Sequence, residues 1–322
     1  MRTHFSRTDR RGAGRHWRAA CLCVLLATGL ASPALAGPHV VASIKPVHAL
    51  VAGVMTGVGA PDLLVTGGAS PHTYSLKPSD AEHLNQADIV FWIGPNLENF
   101  LGGPLTALAS RAKIIALIDA PGIVVRPARE SGVWEPHDDA RPESGAVVAA
   151  REIDGHIWLD PMNARAMVAA ITATLVEADP ANAARYSMNA SALATRLDGL
   201  DADIMRTVAP VKAKPFIVFH DAYQYFQERY GVNAVGAVTI SPDRPPGARR
   251  VVAVKDKIAE LGAACVFAEP QFEPNLIRML VEGTHAKTGV LDPEGATLDA
   301  GPELYFVLMR GIADHLVACL GP

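Results

Sequence analysis

Between Asp179-Pro180 and Pro210 the chain runs from Ala181 to Ala209 without a proline, and apolar side chains recur at Leu193, Leu197, Leu200, Ile204 and Val208. That spacing of three and four residues is the stripe of an amphipathic helix. At 1.5 Å per residue the helix is roughly 40 Å long. This is too long for one crossover inside a compact domain and suits a strut between two. The chain therefore divides into a first lobe, residues 37–180, a linking helix, 181–209, and a second lobe, 210–322.

The same alternation stands on both sides of the strut. In the first lobe, apolar strand runs at His39–Lys45, Asp62–Val65, Ile89–Ile93 and Lys113–Ile118 are separated by helical patterns ending near Val54, starting at Pro78, and spanning Leu97–Ser110. In the second, Phe216–Phe219, Val235–Ile240, Ala264–Ala268 and Gly289–Asp292 alternate with helices at Ala222–Tyr230, Pro246–Leu261 and Pro274–Lys287, and Glu303–Leu320 closes the chain. Strand and helix in strict alternation imply parallel βαβ units. The expected fold class is α/β: two lobes, each a parallel sheet flanked by helices and each with its own core, joined by a long rigid linking helix.

Three histidines stand where an apolar run meets a turn. His72 follows Asp62–Val65 in Gly-Gly-Ala-Ser-Pro-His-Thr-Tyr, and His156 lies in Asp-Gly-His-Ile-Trp-Leu-Asp-Pro. His220 ends the run Phe216–Phe219, with Asp221 placed as the N-cap of the next helix and Gly231 as its stop. In open α/β sheets this rim is where side chains leave the sheet and point into a crevice. Three neutral imidazoles converging there are a natural ligand set for Zn²⁺, with a carboxylate or water in the fourth tetrahedral position. Asp292, at a strand end of the second lobe, is the candidate carboxylate; the competing reading makes it a turn former before Pro293. His39, His48 and His83 read as incidental.

The loop from Arg126 to Asp154 is rich in Pro, Glu, Asp, Arg and Gly, a composition that buries too little surface to order itself. It reads as a mobile acidic loop, with His137 among solvated carboxylates. Ahead of the fold, six arginines between Arg2 and Arg18, an apolar run from Ala19 to Leu30 and Ala34-Leu-Ala36 form an export signal cleaved after about Ala36. A membrane anchor is the alternative, but the apolar run is short and ends in Pro33. Removing six arginines and one aspartate from totals of 29 and 33 leaves a formal charge of −9. Such a balance argues against nucleic acid as a partner and is compatible with attracting cations. Cys265 and Cys319 remain, either as one disulfide or as two buried thiols. Phosphate-binding loops, dinucleotide fingerprints, H-E-x-x-H and nucleophile-elbow motifs are absent from the sequence.

Taken together, Pro71–Asp80, Gly155–Pro161, Phe219–Phe226, Phe267-Ala-Glu-Pro-Gln-Phe272 and Leu291-Asp-Pro293 resemble the ZnuA-type zinc-binding proteins of bacterial ABC transporters, within the metal-specific solute-binding proteins. The resemblance covers nearly all of the mature chain. It implies metal held between the lobes by His72, His156 and His220, a carboxylate contribution from Asp292, and a Cys265–Cys319 disulfide. Its manganese-specific members carry Glu where His220 stands, so the resemblance points to zinc. The chain departs from the pattern at Pro71, where some zinc members carry Glu, and in the acidic loop, which is poor in histidine. The resemblance thus implies a non-enzymatic, periplasmic, monomeric zinc carrier that serves an ABC permease. Rival readings are a manganese or iron carrier, a metal-dependent adhesin and a zinc hydrolase using the same histidines. Because each imidazole must be neutral to bind, affinity is expected to fall as pH drops through about 6.5.

Overall fold

The computed structural model describes residues 37–129, 153–239, 241–242, 246–260, 262–272 and 275–321. The export signal with its cleavage point, and residues 130–152 of the acidic loop, with His137, lie outside the described residues.

The first lobe is built on strands β1 (Val40–Ala42), β2 (Asp62–Leu63), β3 (Ile89–Trp92) and β4 (Lys113–Ala116), all parallel, in the order β2-β1-β3-β4. In the second, β5 (Phe216–His220), β6 (Ala234–Thr239), β7 (Cys265–Ala268) and β8 (Lys287–Val290) are again parallel, in the order β6-β5-β7-β8. The two orders are the same once each lobe's strands are numbered from its own first. Every residue of β3 and of β5 is buried, which is why both read as unbroken apolar runs. In each order the connections turn outward on either side of one strand pair, β1 with β3 and β5 with β7. That reversal opens a crevice at the carboxyl ends of the strands.

Helices α1 (Lys45–Val54), α2 (Pro78–Gln86), α3 (Gly102–Leu108) and α4 (Pro161–Ala178) belong to the first lobe, and α6 (Gln224–Tyr230), α7 (Ala248–Glu260), α8 (Asn275–Val281) and α9 (Leu304–Leu320) to the second. Between them α5 (Ala183–Val208) is the long helix, burying Tyr186, Leu193, Leu197, Leu200, Ile204 and Val208 on one face. It lies close to α1, since a Cβ on Gly53 would stand 2.8 Å from Leu193 Cδ1. Farther along, the Arg196 guanidinium lies 3.8 Å from the Phe306 ring centre on α9. α8 stops six residues short of the expected Lys287, because Gly283 takes a left-handed φ of 79° and the chain then enters β8. No helix among the described residues is long and apolar enough to cross a membrane.

One hydrophobic cluster runs through both lobes: Leu50 of α1, Ile171 of α4, Leu197 of α5, Phe216 and Phe267 of the second sheet and Tyr305 of α9 all belong to it. Smaller clusters cover the outer faces, around Val90 and Leu105 in the first lobe and around Val266 and Leu280 in the second. The expectation of a separate core in each lobe is therefore corrected. The apolar stripes of α1, α4, α5 and α9 meet along the seam and fuse the two. Cys265, at the start of β7, is disulfide-bonded to Cys319 in the last turn of α9, with Cα atoms 6.2 Å apart. The bond ties the second sheet to the closing helix.

Candidate metal centre

His72, His156 and His220 converge between the lobes from three different local structures. His72 sits on the loop that leaves β2, partly buried, its N–H donating to Ser70 Oγ at 3.3 Å. His156 immediately precedes a turn of 3-10 helix, Ile157–Leu159, whose apolar side chains are fully buried and pin the backbone. His220 is the last residue of β5 and is 1% exposed. Their candidate ligand atoms all lie within 4.8 Å of one another. The Nε2 of His156 is 3.3 Å from that of His72 and 3.2 Å from that of His220. Zinc–nitrogen bonds of about 2.05 Å at the tetrahedral angle put neighbouring donors about 3.3 Å apart. Both measured separations match that spacing.

Two carboxylates fix which ring nitrogen is free. His156 Nδ1 faces Asp154 Oδ1 at 2.7 Å, and the same oxygen accepts the His156 backbone N–H at 3.0 Å. His220 Nδ1 faces both Glu269 oxygens at 2.7 Å. An ionised carboxylate only accepts, so each imidazole carries its proton on Nδ1 and presents a bare Nε2 lone pair to the crevice. The bare nitrogens of His156 and His220, 3.2 Å apart, repel one another. A cation between them turns that repulsion into coordination. The His72 imidazole is held well below the usual histidine range, by burial first and then by the neighbouring His156 and His220, and so stays neutral.

Asp292 stands two residues after β8, on the same side of the cleft as Glu269. It is not one of the three residues whose ligand atoms gather within 4.8 Å. Its Oδ1 accepts the N–H groups of Glu294 at 3.1 Å and Gly295 at 2.8 Å and so closes a turn, while Oδ2 is buried with no hydrogen-bond partner. The Tyr223 hydroxyl is buried without a partner too. Burial, followed by the charges of Glu269, Asp292 and Glu294, pushes that phenol up. The Glu294 carboxyl is itself raised well above the ordinary range by burial, then by Glu269, Asp292 and Glu98. This side of the crevice is rich in carboxyl groups.

Asp221 does not cap α6, which begins at Gln224. The turn Ala222 N–H to His220 O, 2.9 Å, intervenes, and the Asp221 carboxylate pairs with Arg129 at 3.0 Å. Pairing a buried carboxylate with a guanidinium outweighs a capping bond. Asp154 and Glu269 are site residues that the histidine pattern does not single out. Both carry a signal in the sequence, Asp154 two residues before a candidate ligand and Glu269 at the end of a strand run, as His220 is.

Two parallel α/β lobes with an imidazole cluster at the facing carboxyl ends of their strands define a two-lobed metal-binding protein. The family model described as ZnuA, zinc-uptake complex component A, periplasmic, matches residues 40–319. A high-affinity zinc uptake system protein ZnuA from Brucella abortus (strain 2308) is 47% identical over 317 aligned positions, covering 91% of this chain and 95% of the relative. The protein of the same description from Paracoccus denitrificans (strain Pd 1222) is 37% identical, covering 94% and 99%. Among solved structures, the periplasmic zinc binding protein TroA from Treponema pallidum superposes with a TM-score of 0.73 over 89% of this chain and all of its own, at 23% identity, a likeness of fold. This chain belongs to the ZnuA family.

Proposed function

We propose that this protein is a periplasmic, non-enzymatic zinc carrier that captures Zn²⁺ between its lobes and hands it to an ABC-type permease, working as a monomer. Residues 1–36 are then a leader removed on export, 37–180 and 210–322 the lobes that share the metal, and 181–209 the helix that links them. The observation that carries the reading is the pair of Nε2–Nε2 distances, 3.3 and 3.2 Å, between imidazoles of which two turn their other nitrogen to a carboxylate. His72, His156 and His220 supply three neutral nitrogen donors, a set that suits zinc better than manganese. Asp292 is the candidate fourth ligand, its orphaned Oδ2 being the feature that supports the assignment. An anionic fourth ligand closes the coordination sphere and leaves no place for the open water of a hydrolase.

Chelator-stripped mature protein should bind one Zn²⁺ tightly in competition with a chromophoric chelator, with Mn²⁺ far weaker. His220→Ala should cut zinc affinity by more than about 100-fold. Weak zinc binding indifferent to His220→Ala would remove the interlobe site.

A further inference from the structure

Lys45 opens α1 of the first lobe, shortly after β1, yet is 8% exposed, because its side chain crosses the seam. Its Nζ donates to three carbonyl oxygens of the second lobe, Gly295 at 2.9 Å, Ala296 at 2.9 Å and Leu298 at 2.7 Å. An ammonium has three protons, and all three find acceptors on one short segment 250 residues away in sequence. The same segment is gripped once more from the first lobe, where the indole N–H of Trp158 donates to Pro293 O at 2.8 Å. Trp158 O in turn accepts the Tyr305 hydroxyl of α9 at 2.7 Å.

The segment is shaped for this grip. Asp292 Oδ1 takes the N–H groups of Glu294 and Gly295, which turns the carbonyls of the following residues the other way. Gly295 has φ 73°, a left-handed conformation that makes the reversal free of Cβ strain. One end of the turn therefore belongs to Asp292 and the other to Lys45. Burial lowers the Lys45 ammonium from its usual range, and the neighbouring Asp292, Asp299 and Glu294 oppose that shift only in part, so the grip rests on the three hydrogen bonds. Among the described residues, the ammonium hydrogen-bonds to these carbonyls and to none of the histidines. Its reach is confined to the part of the second lobe that begins at Asp292.

We propose that Lys45 is a positioning residue for zinc retention: by binding the carbonyls of residues 295, 296 and 298 it latches the Asp292 turn of the second lobe onto the first and slows release of the metal. This rests on the interlobe zinc site of His72, His156 and His220. Three charge-assisted hydrogen bonds across the seam are lost together when the lobes part at this turn. Removing them leaves the donor set intact and lowers the barrier to its opening.

The test is stopped-flow release of zinc from the zinc-loaded mature protein into excess chelator, with the association rate measured in parallel. Lys45→Met keeps the length and apolar stem without the ammonium, and should speed release about tenfold or more while association stays within about twofold of wild type. Trp158→Phe, which removes the indole N–H and keeps most of the ring packing, should speed release to a smaller extent. A rescue separates latching from general destabilisation. A Cβ on Gly68 of the first lobe would lie 3.9 Å from Ala296 Cβ, within the range of a disulfide. Oxidised Gly68→Cys/Ala296→Cys in the Lys45→Met background should restore slow release. Release from Lys45→Met within about twofold of wild type, or faster release that the cross-link fails to slow, overturns the latch. Failure of His220→Ala to weaken zinc binding in the wild-type background would instead overturn the site itself, so the two failures are told apart.

Discussion

At the scale of single residues, the site depends on groups that control protons. Glu269 accepts from His220 through both oxygens, and replacing it by Gln puts an amide where a purely accepting group stood, so that neither ring nitrogen is favoured to carry the proton. Glu269→Gln should lower zinc affinity about 10- to 100-fold, read by chelator competition, with the fold intact by circular dichroism. Glu98 plays a structural counterpart at the rim of the first sheet. Fully buried, it accepts Ser43 Oγ at 2.5 Å, Ile93 N–H at 3.2 Å and Gly94 N–H at 2.9 Å, joining the ends of β1 and β3. Burial pushes its carboxyl up from 4.5 to about 7. With the folded value above the unfolded one, its contribution to stability is complete below about pH 4.5 and is lost as pH rises through about 7. In the metal-free protein, the stability of wild type relative to Glu98→Gln should therefore fall by roughly 3 kcal/mol between pH 4.5 and pH 8, measured by urea titration; a difference constant with pH contradicts the buried acid. The three histidines are legible in the sequence because each stands where an apolar run meets a turn. Glu98 and Lys45 are not, since their partners lie far off in sequence or are backbone groups that no pattern displays.

At the scale of elements, the site is assembled from what the strands lead into. His72 comes from the loop after β2, His220 from the end of β5, Glu269 from the residue after β7 and Asp292 from the turn after β8. Hydrophobic runs reveal strands and so reveal these positions, which is why the β/α order, the parallel sheets and the long α5 can be read from sequence. Helix boundaries are less legible. α6 starts late because Asp221 spends its carboxylate on Arg129, and α3 is reduced to Gly102–Leu108 after a 3-10 turn, where two glycines weaken the helical run. The closing helix owes part of its anchorage to the Cys265–Cys319 bond, which spans 54 residues. Replacing both cysteines by serine should lower stability by roughly 4 kcal/mol in the chain-entropy treatment. Zinc affinity should remain within about threefold, because neither cysteine belongs to the histidine cluster; a large loss of affinity would show that α9 supports the site more directly.

At the scale of the whole molecule, the two lobes share a single hydrophobic cluster along α1, α4, α5 and α9. A large apolar contact of this kind resists hinge motion; on the proposed latch, release of the metal depends on the turn Asp292–Leu298 more than on swinging lobes. On the proposed function the lobes form a nearly preformed cage, since His156 Nε2 already stands at tetrahedral-ligand spacing from its two neighbours. The decisive experiment is an anomalous-difference map at the zinc edge from crystals of the zinc-loaded mature protein. One strong peak is expected, bonded at about 2.0–2.1 Å to the Nε2 atoms of His72, His156 and His220, with one oxygen completing the tetrahedron. A principal peak elsewhere, or one that leaves any of the three imidazoles unbound, would contradict an interlobe histidine cage.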